Sequence, residues 1–155
     1  MRLGSLDKVL LTGAAGFVGK FCIGELLNVG FATDQIYALS RSGETVAARG
    51  VHTAVGDVTD RRAIRELLAN VQPSAVIHLA AIAEPAKARA DRDAAWAANF
   101  DSSRYLAEAM FDVIPNARLI FSGSAEAYGA SFKSETLPVC ESAALRPTTT
   151  YGATK

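Results

Sequence analysis

Sulfur-containing and indole side chains are scarce in this 155-residue chain, which has two cysteines, two methionines and one tryptophan. Cys22 and Cys140 stand apart with no metal-ligand spacing around either, so we predict reduced thiols, no disulfide and no metal site.

An excess of one charge is also missing, since 16 basic side chains offset 16 acidic ones. That balance argues against nucleic acid or an anionic membrane as the main partner. No apolar run approaches the roughly 20 residues of a membrane span, and the first residues contain no signal-peptide core, so we expect a cytoplasmic protein.

The most informative stretch is Val9 to Gly19, where an apolar run of strand length meets three glycines and an amphipathic helix pattern follows. A buried strand that turns sharply into a helix leaves unpaired N–H groups and the positive end of the helix dipole at one spot, which suits a pyrophosphate. Gly13 permits the tight turn, Gly16 lets the backbone approach the ligand, and Gly19 lets the helix pack closely on the strand. The G-x-x-G-x-x-G spacing therefore predicts dinucleotide binding.

Strand and helix patterns alternate along the rest of the chain. This alternation predicts an α/β fold with a doubly wound parallel sheet of the Rossmann type, in strand order 3-2-1-4-5. The motifs fall at the carboxyl ends of strands, beside the switch between strands 1 and 4, where such sheets bind ligands. The predicted strands cover residues 8–12, 36–39, 51–55, 75–81 and 117–121.

The helix patterns predict three further details. The first helix is expected to present an apolar face made of Phe17, Phe21, Leu26 and Leu27. Thr59 is the expected N-cap of the next helix. A long helix over about 91–113 is expected to carry on one side Trp96, Phe100, Ala107 and Met110.

Cofactor specificity depends on the residues that follow the second strand. An NAD site needs an acid there to bond the ribose hydroxyls, whereas this chain has Ser40 followed by Arg41. A guanidinium can pair with a 2′-phosphate, so NADP is favoured over NAD; the alternative is that Arg41 is only a solvated turn residue. Asp57 either accepts from the adenine amino group or bonds only backbone at the start of the next helix. His78, inside an apolar strand, is interpreted as a satisfied core residue rather than a catalyst.

A phenol and an ammonium stand four residues apart at Tyr151 and Lys155, on one face of a predicted helix. A free phenol has a pKa of about 10, too high for a proton carrier near neutrality, and a nearby cation lowers it by favouring the phenolate. Tyr151 is therefore a candidate acid or base, and Ser124, after strand five, is placed to hydrogen-bond the oxygen on the carbon that exchanges hydride. Taken alone, such a pair is more often a coincidence of a helix surface.

Taken in order, these motifs resemble the extended short-chain dehydrogenase/reductase superfamily, specifically its NAD(P)-dependent epimerase/dehydratase branch. The resemblance is carried by Thr12-Gly13-Ala14-Ala15-Gly16-Phe17-Val18-Gly19, Gly56-Asp57, His78-Leu79-Ala80-Ala81, Asn99, Ser122-Gly123-Ser124-Ala125-Glu126-Ala127-Tyr128-Gly129 and Tyr151-x-x-x-Lys155. It implies that Tyr151 is the general acid/base, that Lys155 bonds the nicotinamide ribose, and that Ser124 orients the substrate oxygen. It also implies an adenine contact for Asp57 and a structural role for Asn99. The expected cofactor-binding residues are Gly13, Ala15, Gly16, Phe17, Val18, Arg41, Asp57, Val58, Leu79, Ala80, Ala81 and Lys155.

Glu126 bears on the reaction subclass because it follows Ser124 by two residues. The resemblance implies a catalytic role, since sugar 4,6-dehydratases use a glutamate here to remove the proton next to the keto group. Related 4-keto-sugar reductases can also carry it, and many 4-epimerases do not. Ala125 stands where one type of dehydratase has an aspartate, which disfavours that type. A solvated loop acid fits the sequence equally well.

The resemblance implies an enzyme, an NAD(P)-dependent oxidoreductase, epimerase or dehydratase that acts on a nucleotide sugar. The alternative is a non-catalytic NAD(P)-binding or redox-sensing module. Because family members are much longer, we expect residues 1–155 to be the NAD(P)-binding domain, without the C-terminal substrate domain. We expect this chain alone to bind NADP(H) weakly and not to turn over. A full-length homodimer through the helix near 91–113 and the Tyr–Lys helix is implied as well.

Overall fold

The structure of the chain, a computed structural model, describes residues 7–41, 50–135 and 137–155. The elements in chain order are β1 (Val9–Thr12), α1 (Phe17–Asn28), a 3₁₀ turn (Thr33–Gln35), β2 (Ile36–Ser40), β3 (His52–Val55), α2 (Arg61–Val71), β4 (Ala75–His78), α3 (Pro85–Ala90), α4 (Arg92–Ala95), a π-helical segment (Trp96–Asp101), α5 (Ser102–Val113), β5 (Arg118–Phe121), a second 3₁₀ turn (Ala125–Ala127), α6 (Ser131–Ser134) and α7 (Thr150–Ala153). The described residues form two compact units, the first from residues 7–41, 50–80 and 102–121 and the second from residues 81–101, 122–135 and 137–155.

The first unit is a five-stranded sheet with helices on both faces. All neighbouring strands are parallel, in the order β3-β2-β1-β4-β5. This confirms the predicted doubly wound, Rossmann-type topology. Leu10 of β1 packs in one cluster with Leu68 of α2 and Leu106 of α5. Its neighbour Leu11 packs in a second cluster with Ile23 of α1. Because successive strand residues point to opposite faces, α1 covers one side of the sheet and α2 with α5 the other.

The outer strand β5 is less covered than the rest of the sheet. All four of its residues are exposed, and Leu119, Ile120 and Phe121 have exposed fractions of 39%, 53% and 41%. Among the strands that the structure describes, β5 pairs only with β4. It therefore presents both apolar side chains and a backbone edge.

The prediction for the apolar face of α1 was right for Leu26 and Leu27, which pack against the cluster of Leu11 and Ile23, and wrong for the two phenylalanines. Phe17 and Phe21 are 79% and 66% exposed, with their rings 5.0 Å apart, whereas Gly19 and Ile23 are buried. The reason is the close packing of Gly19 on the turn after β1. Residues two positions from it lie about 200° around an α-helix and so face outward.

The predicted cap of α2 was also wrong, by one residue. The carboxylate of Asp60 accepts hydrogen bonds from the backbone N–H groups of Arg62 and Ala63. The hydroxyl of Thr59 instead donates to Asp57 at 2.8 Å. Thr59 thus belongs to the turn before the helix.

The region predicted as one helix over 91–113 is divided by the π-helical segment. Trp96 and Phe100 are exposed by 41% and 46%, Ala107 is exposed, and Met110 is buried. These four residues therefore do not share a face as predicted. A π turn takes more residues than an α turn, so a 3.6-residue period cannot be extended across it.

The second unit consists of short helices and turns. In it α7 packs against α3, α4 and the 3₁₀ turn Ala125–Ala127. Gly129 has φ of +46° and lies so close to the Arg146 carbonyl that a β-carbon would not fit. Ala130 donates its N–H to the same carbonyl at 2.8 Å. Across residues 7–41, 50–135 and 137–155, no helix is both long and apolar enough to cross a bilayer.

Candidate functional site

The turn between β1 and α1 is made of backbone, with glycines where side chains would collide. Gly13 has φ of +71°, and a β-carbon there would lie 2.7 Å from the backbone nitrogen of Ala80. At Gly19 a β-carbon would lie 2.7 Å from the Ala14 carbonyl oxygen. Gly16 is different, because its β-carbon would meet only the Gly13 oxygen, at 3.1 Å. The outer side of the turn at Gly16 is therefore open.

The first turn of α1 directs hydrogen-bond donors to this open side. Gly16 is the N-cap residue, and no side chain of the described residues caps the helix. The first N–H groups of an α-helix have no intrahelical acceptor, so those of Phe17 and Val18 are available to an anion. Both side chains are exposed. A cradle that β-carbons would fill, lined by helix N–H groups, fits the pyrophosphate of a dinucleotide.

Beneath the turn, a buried network joins β1 to the end of β4. The Thr12 hydroxyl lies 2.7 Å from His78 Nδ1 and accepts from the N–H of Ala80 at 3.2 Å. His78 Nε2 lies 3.1 Å from the Ser103 hydroxyl, and the imidazole residue is 2% exposed. This confirms the interpretation of His78 as a satisfied core residue. Leu79 donates its N–H to the Thr12 carbonyl at 3.3 Å, so the expected cofactor residues Leu79 and Ala80 lie directly beside the glycine turn.

The adenosine end of the predicted site begins at the carboxyl end of β2. Ser40 is buried, and its hydroxyl has no hydrogen-bond partner within the described ranges. Arg41, the next residue, is exposed. The carbonyl of Ser40 accepts from the N–H of Gly56, which holds the ends of β2 and β3 together. A cation is therefore presented at the strand end where an NAD site would carry an acid.

Asp57 follows Gly56 and is bound to the turn before α2. Its Oδ1 accepts from the Thr59 N–H and from the Thr59 hydroxyl, each at 2.8 Å. The Thr59 backbone hydrogen bond lowers the pKa of Asp57 most, against the opposing effect of burial, and the Thr59 hydroxyl and the charge of Arg41 lower it further. The bond to the Thr59 N–H is the kind expected if Asp57 only holds the backbone before α2. Both bonds use Oδ1 and neither uses Oδ2. Val58 beside it packs against the core cluster of Leu10.

In the second unit, Ser124 starts the 3₁₀ turn Ala125–Ala127. Its hydroxyl accepts from the Glu126 N–H at 3.2 Å. The carboxylate of Glu126 in turn accepts from the Thr149 hydroxyl at 3.0 Å. Thr149 is the N-cap of α7, where its hydroxyl also accepts from the Gly152 N–H at 2.9 Å. Glu126 is thus hydrogen-bonded to the residue that begins the tyrosine helix.

At the other end of α7, Lys155 reaches back to the serine segment. Its Nζ donates to the Ser122 carbonyl at 3.1 Å, and burial lowers the pKa of the ammonium. Tyr151 is half-buried on the same short helix. Two hydrogen bonds therefore join residues 122–126 to residues 149–155. The four predicted reaction residues, Ser124, Glu126, Tyr151 and Lys155, thus lie on neighbouring segments.

The predicted residues divide between the units. Most expected cofactor contacts, including half-buried Ala15, belong to the first unit; Ala81 and all expected reaction residues belong to the second. Sequence reasoning missed Thr149 and Thr154. A threonine just before a short helix is an N-cap signal that could have identified Thr149, whereas no local pattern points to Thr154. Among the described residues, no group of three or more His, Cys, Asp or Glu side chains could hold a metal ion.

Comparison with known proteins decides the family. A sequence model described as the NAD dependent epimerase/dehydratase family matches residues 9–155. The chain belongs to this family. The match confirms the resemblance that the motifs predicted, and it makes the chain a member of a family of NAD-dependent enzymes.

Individual family members show the same similarity. The UDP-glucose 4-epimerase of Streptomyces lividans is 31% identical over 149 residues, which cover 96% of this chain and 44% of the epimerase. D-erythronate dehydrogenase of Cupriavidus necator is 33% identical over 158 residues, 95% of this chain and 47% of the dehydrogenase. The crystal structure of UDP-glucose 4-epimerase from Brucella ovis in complex with NAD has a TM-score of 0.82 and 29% identity, over 96% of this chain and 44% of that one. The chain thus spans less than half the length of these relatives.

Proposed function

We propose that this chain is the NAD(P)-binding domain of an enzyme that moves a hydride at a carbonyl or hydroxyl carbon of a nucleotide sugar. The observation that carries the proposal is the pair of hydrogen bonds that joins the Ser124 segment to the Tyr151–Lys155 segment. A module that only binds or senses the dinucleotide needs the glycine turn. It has no need of a phenol, an ammonium and a hydroxyl on adjoining segments.

Tyr151, Ser124 and Lys155 have different roles in the proposal. A bound nicotinamide dinucleotide supplies the acceptor or donor of the hydride. As the carbinol carbon loses hydride, Tyr151 takes the hydroxyl proton, and it returns that proton in the reverse direction. Ser124 donates a hydrogen bond to the same oxygen and holds it in place. The Lys155 ammonium favours the phenolate and bonds the nicotinamide ribose.

The test of this mechanism needs turnover. In our proposal the residues that bind the nucleotide sugar lie outside these 155 residues, because the chain spans only 44–47% of the length of the relatives named above. In a protein that carries this chain and the further length of its relatives, Tyr151→Phe should lower turnover about 10²–10⁴-fold with dinucleotide binding intact. A sensor would be indifferent to the change. Substrate-dependent NADPH oxidation by residues 1–155 alone would contradict the domain assignment.

For the cofactor we propose NADP(H), with NAD(H) as the alternative. Arg41 supports the 2′-phosphate form, because a charge-assisted contact to phosphate contributes about 1.5–3 kcal/mol, or roughly tenfold or more in affinity. Fluorescence titration of the chain with NADPH and NADH measures the preference. Arg41→Ala should remove most of it while leaving NADH affinity unchanged. Equal affinities in the parent chain would favour the solvated-turn interpretation of Arg41.

Glu126 supports a narrower second proposal, that the reaction includes loss of water. Its Oε2 is held by Thr149, two residues before Tyr151, so the carboxylate lies close to the tyrosine helix. In a dehydratase the glutamate removes the proton next to the keto group. Glu126→Gln should then abolish water loss and leave hydride transfer, whereas an epimerase or reductase would keep its complete reaction.

Self-association is part of the proposal for the full-length enzyme. Trp96 and Phe100 support it, since their rings pack edge to face at 5.4 Å and more than two fifths of each residue is exposed. Aromatic side chains of this kind are enriched at interfaces. Sedimentation of Trp96→Ser beside the parent protein tests the homodimer, and an unchanged dimer would exclude this surface.

A further inference from the structure

The buried side chain of Asn99 forms hydrogen bonds with both the N–H and the carbonyl of Ile82. Its Oδ1 accepts from the Ile82 N–H at 2.7 Å, and its Nδ2 donates to the Ile82 carbonyl at 3.2 Å. A backbone N–H must meet the amide oxygen and a carbonyl must meet the amide nitrogen, so this double contact fixes the orientation of the Asn99 amide. Asn99 is 1% exposed and lies in the π-helical segment.

The fixed amide continues the network into α7. Its Nδ2 also donates to the Thr154 hydroxyl, at 3.1 Å. The single hydroxyl hydrogen of Thr154 then donates to the Tyr151 carbonyl, at 2.9 Å. Thr154 is 3% exposed, so its bond to buried Asn99 is shielded from water. The direction of every bond in the series from Ile82 to Tyr151 is therefore determined.

This arrangement matters because α7 has four residues and cannot hold its own geometry. An isolated helix needs about 12–15 residues to be even marginally stable. The Tyr151 carbonyl, near the end of α7, accepts from the backbone N–H of Thr154 at 3.2 Å. The Thr154 hydroxyl adds a second and shorter hydrogen bond to the same carbonyl, and it also attaches the end of α7 to Asn99.

We infer that Thr154 is a positioning residue, which sets the placement of Tyr151 and Lys155 by hydrogen-bonding the α7 backbone to Asn99. It touches no reacting group and acts through Tyr151, three residues before it, and Lys155, directly after it. The inference rests on the proposed function, in which Lys155 bonds the nicotinamide ribose. Loss of the Thr154 hydroxyl should therefore weaken binding of the nicotinamide half of the cofactor and spare the adenosine half.

The experiment compares whole and half cofactors on the 155-residue chain. NADPH and adenosine 2′,5′-bisphosphate are titrated into parent, Thr154→Val and Thr154→Ser proteins, with NADH and ADP as the pair without the 2′-phosphate. Valine keeps the shape of the threonine side chain and removes both hydrogen bonds of its hydroxyl, whereas serine keeps the hydroxyl. We expect Thr154→Val to weaken the dinucleotide about tenfold and the half cofactor less than twofold, with serine restoring the parent value. Thr148→Val, at an exposed threonine of the same segment, is the matched control and should change neither.

Equal dinucleotide affinity in the parent and valine proteins would overturn the inference, as would an equal loss for both ligands. Hydrogen exchange provides a readout that does not depend on the cofactor. Amides of residues 150–155 should exchange faster in Thr154→Val than in the parent or serine proteins, while α2 stays unchanged. If the parent binds no dinucleotide, the proposed function fails, and equal exchange in all three proteins then overturns the inference as well.

Discussion

Replacing Gly13 by alanine tests the architecture of the β1–α1 turn. The new β-carbon would lie 2.7 Å from Ala80 N, 2.8 Å from Leu79 C and 2.9 Å from Ala80 Cα. These are backbone atoms directly after β4, so they cannot turn away as a side chain would. The φ of +71° adds a second penalty. Left-handed backbone costs a non-glycine residue about 1–2 kcal/mol and overpacking about 1–3 kcal/mol, so we expect a loss of about 2–5 kcal/mol in unfolding free energy.

Three other glycines separate the two penalties. Gly30 has φ of +99° and open space around its β-carbon position, so its alanine variant should lose only the conformational part, about 1–2 kcal/mol. Gly19 has the close contacts without positive φ and should lose about 1–3 kcal/mol. Gly24, inside α1 with nothing within 4 Å, should gain about 0.5–1 kcal/mol as alanine.

Urea unfolding followed by circular dichroism measures all four variants on one scale. A domain of this size has about 5–15 kcal/mol to lose, so the Gly13 variant should show a clearly lower midpoint or fail to fold. The predicted order of stability, from highest to lowest, is Gly24→Ala, parent, then Gly30→Ala and Gly19→Ala with similar losses, and finally Gly13→Ala. A Gly13→Ala protein as stable as the parent, or a destabilised Gly24→Ala protein, would refute the reasoning.

Other predictions concern single side chains. Asp60→Ala removes the N-cap of α2 and should lower the free energy of unfolding in urea by about 1 kcal/mol. Unchanged stability would contradict the assignment of Asp60 as the N-cap. Thr12→Val takes a buried partner from His78 Nδ1 and should cost about 1–3 kcal/mol, whereas unchanged stability would show that the contact is dispensable. The pKa of Asp57 is lowered from its usual 3.8, so this carboxylate stabilises the fold above that pH and loses its contribution as pH falls through the lower folded value. The parent should therefore exceed Asp57→Asn slightly in melting temperature at pH 6, and this difference should shrink as the pH falls through the folded pKa; a difference that grows in acid would contradict the assignment.

The sheet was predictable because its signals are local. An apolar strand such as Ala75–His78 without polar alternation must be buried on both faces, and alternation with helices leaves few topologies once crossovers are right-handed. The glycine turn is equally local, since spacing, preceding strand and following helix are all read within about a dozen residues.

The predictions from sequence were wrong where a side chain formed a hydrogen bond other than the expected one, or where the number of residues per helical turn changed. Thr59 has the right type for an N-cap, but its hydroxyl is bonded to Asp57, and Asp60 takes the cap. Apolar spacing placed Phe17 inward because periodicity gives no weight to a glycine, although Gly19 packs so closely on the turn that a β-carbon there would lie 2.7 Å from the Ala14 carbonyl oxygen. The π-helical segment cannot be read from composition and shifts every later position of the helix.

Long-range contacts of the candidate site were beyond sequence reasoning. Tyr151, Lys155 and Ser124 could be named from their motifs, but not the bonds that join their segments. The contact between Glu126 and Thr149 spans 23 residues, and that between Asn99 and Thr154 spans 55. Such pairs have no common period or spacing, so only the folded chain reveals them.

The central claim is that a dinucleotide binds over the glycine turn, and Gly16→Val tests it most directly. Gly16 has ordinary extended backbone, φ −68° and ψ 169°, and its β-carbon position meets only the Gly13 oxygen, at 3.1 Å. The valine protein should therefore still fold, with a loss of about 1 kcal/mol because valine is disfavoured at a helix N-cap, while its side chain blocks the approach of the pyrophosphate. Titration with NADPH and NADH, with Gly24→Ala as control, should show affinity reduced at least about tenfold in Gly16→Val alone, a loss of about 1.4 kcal/mol. Unchanged affinity in a folded Gly16→Val protein would contradict the account.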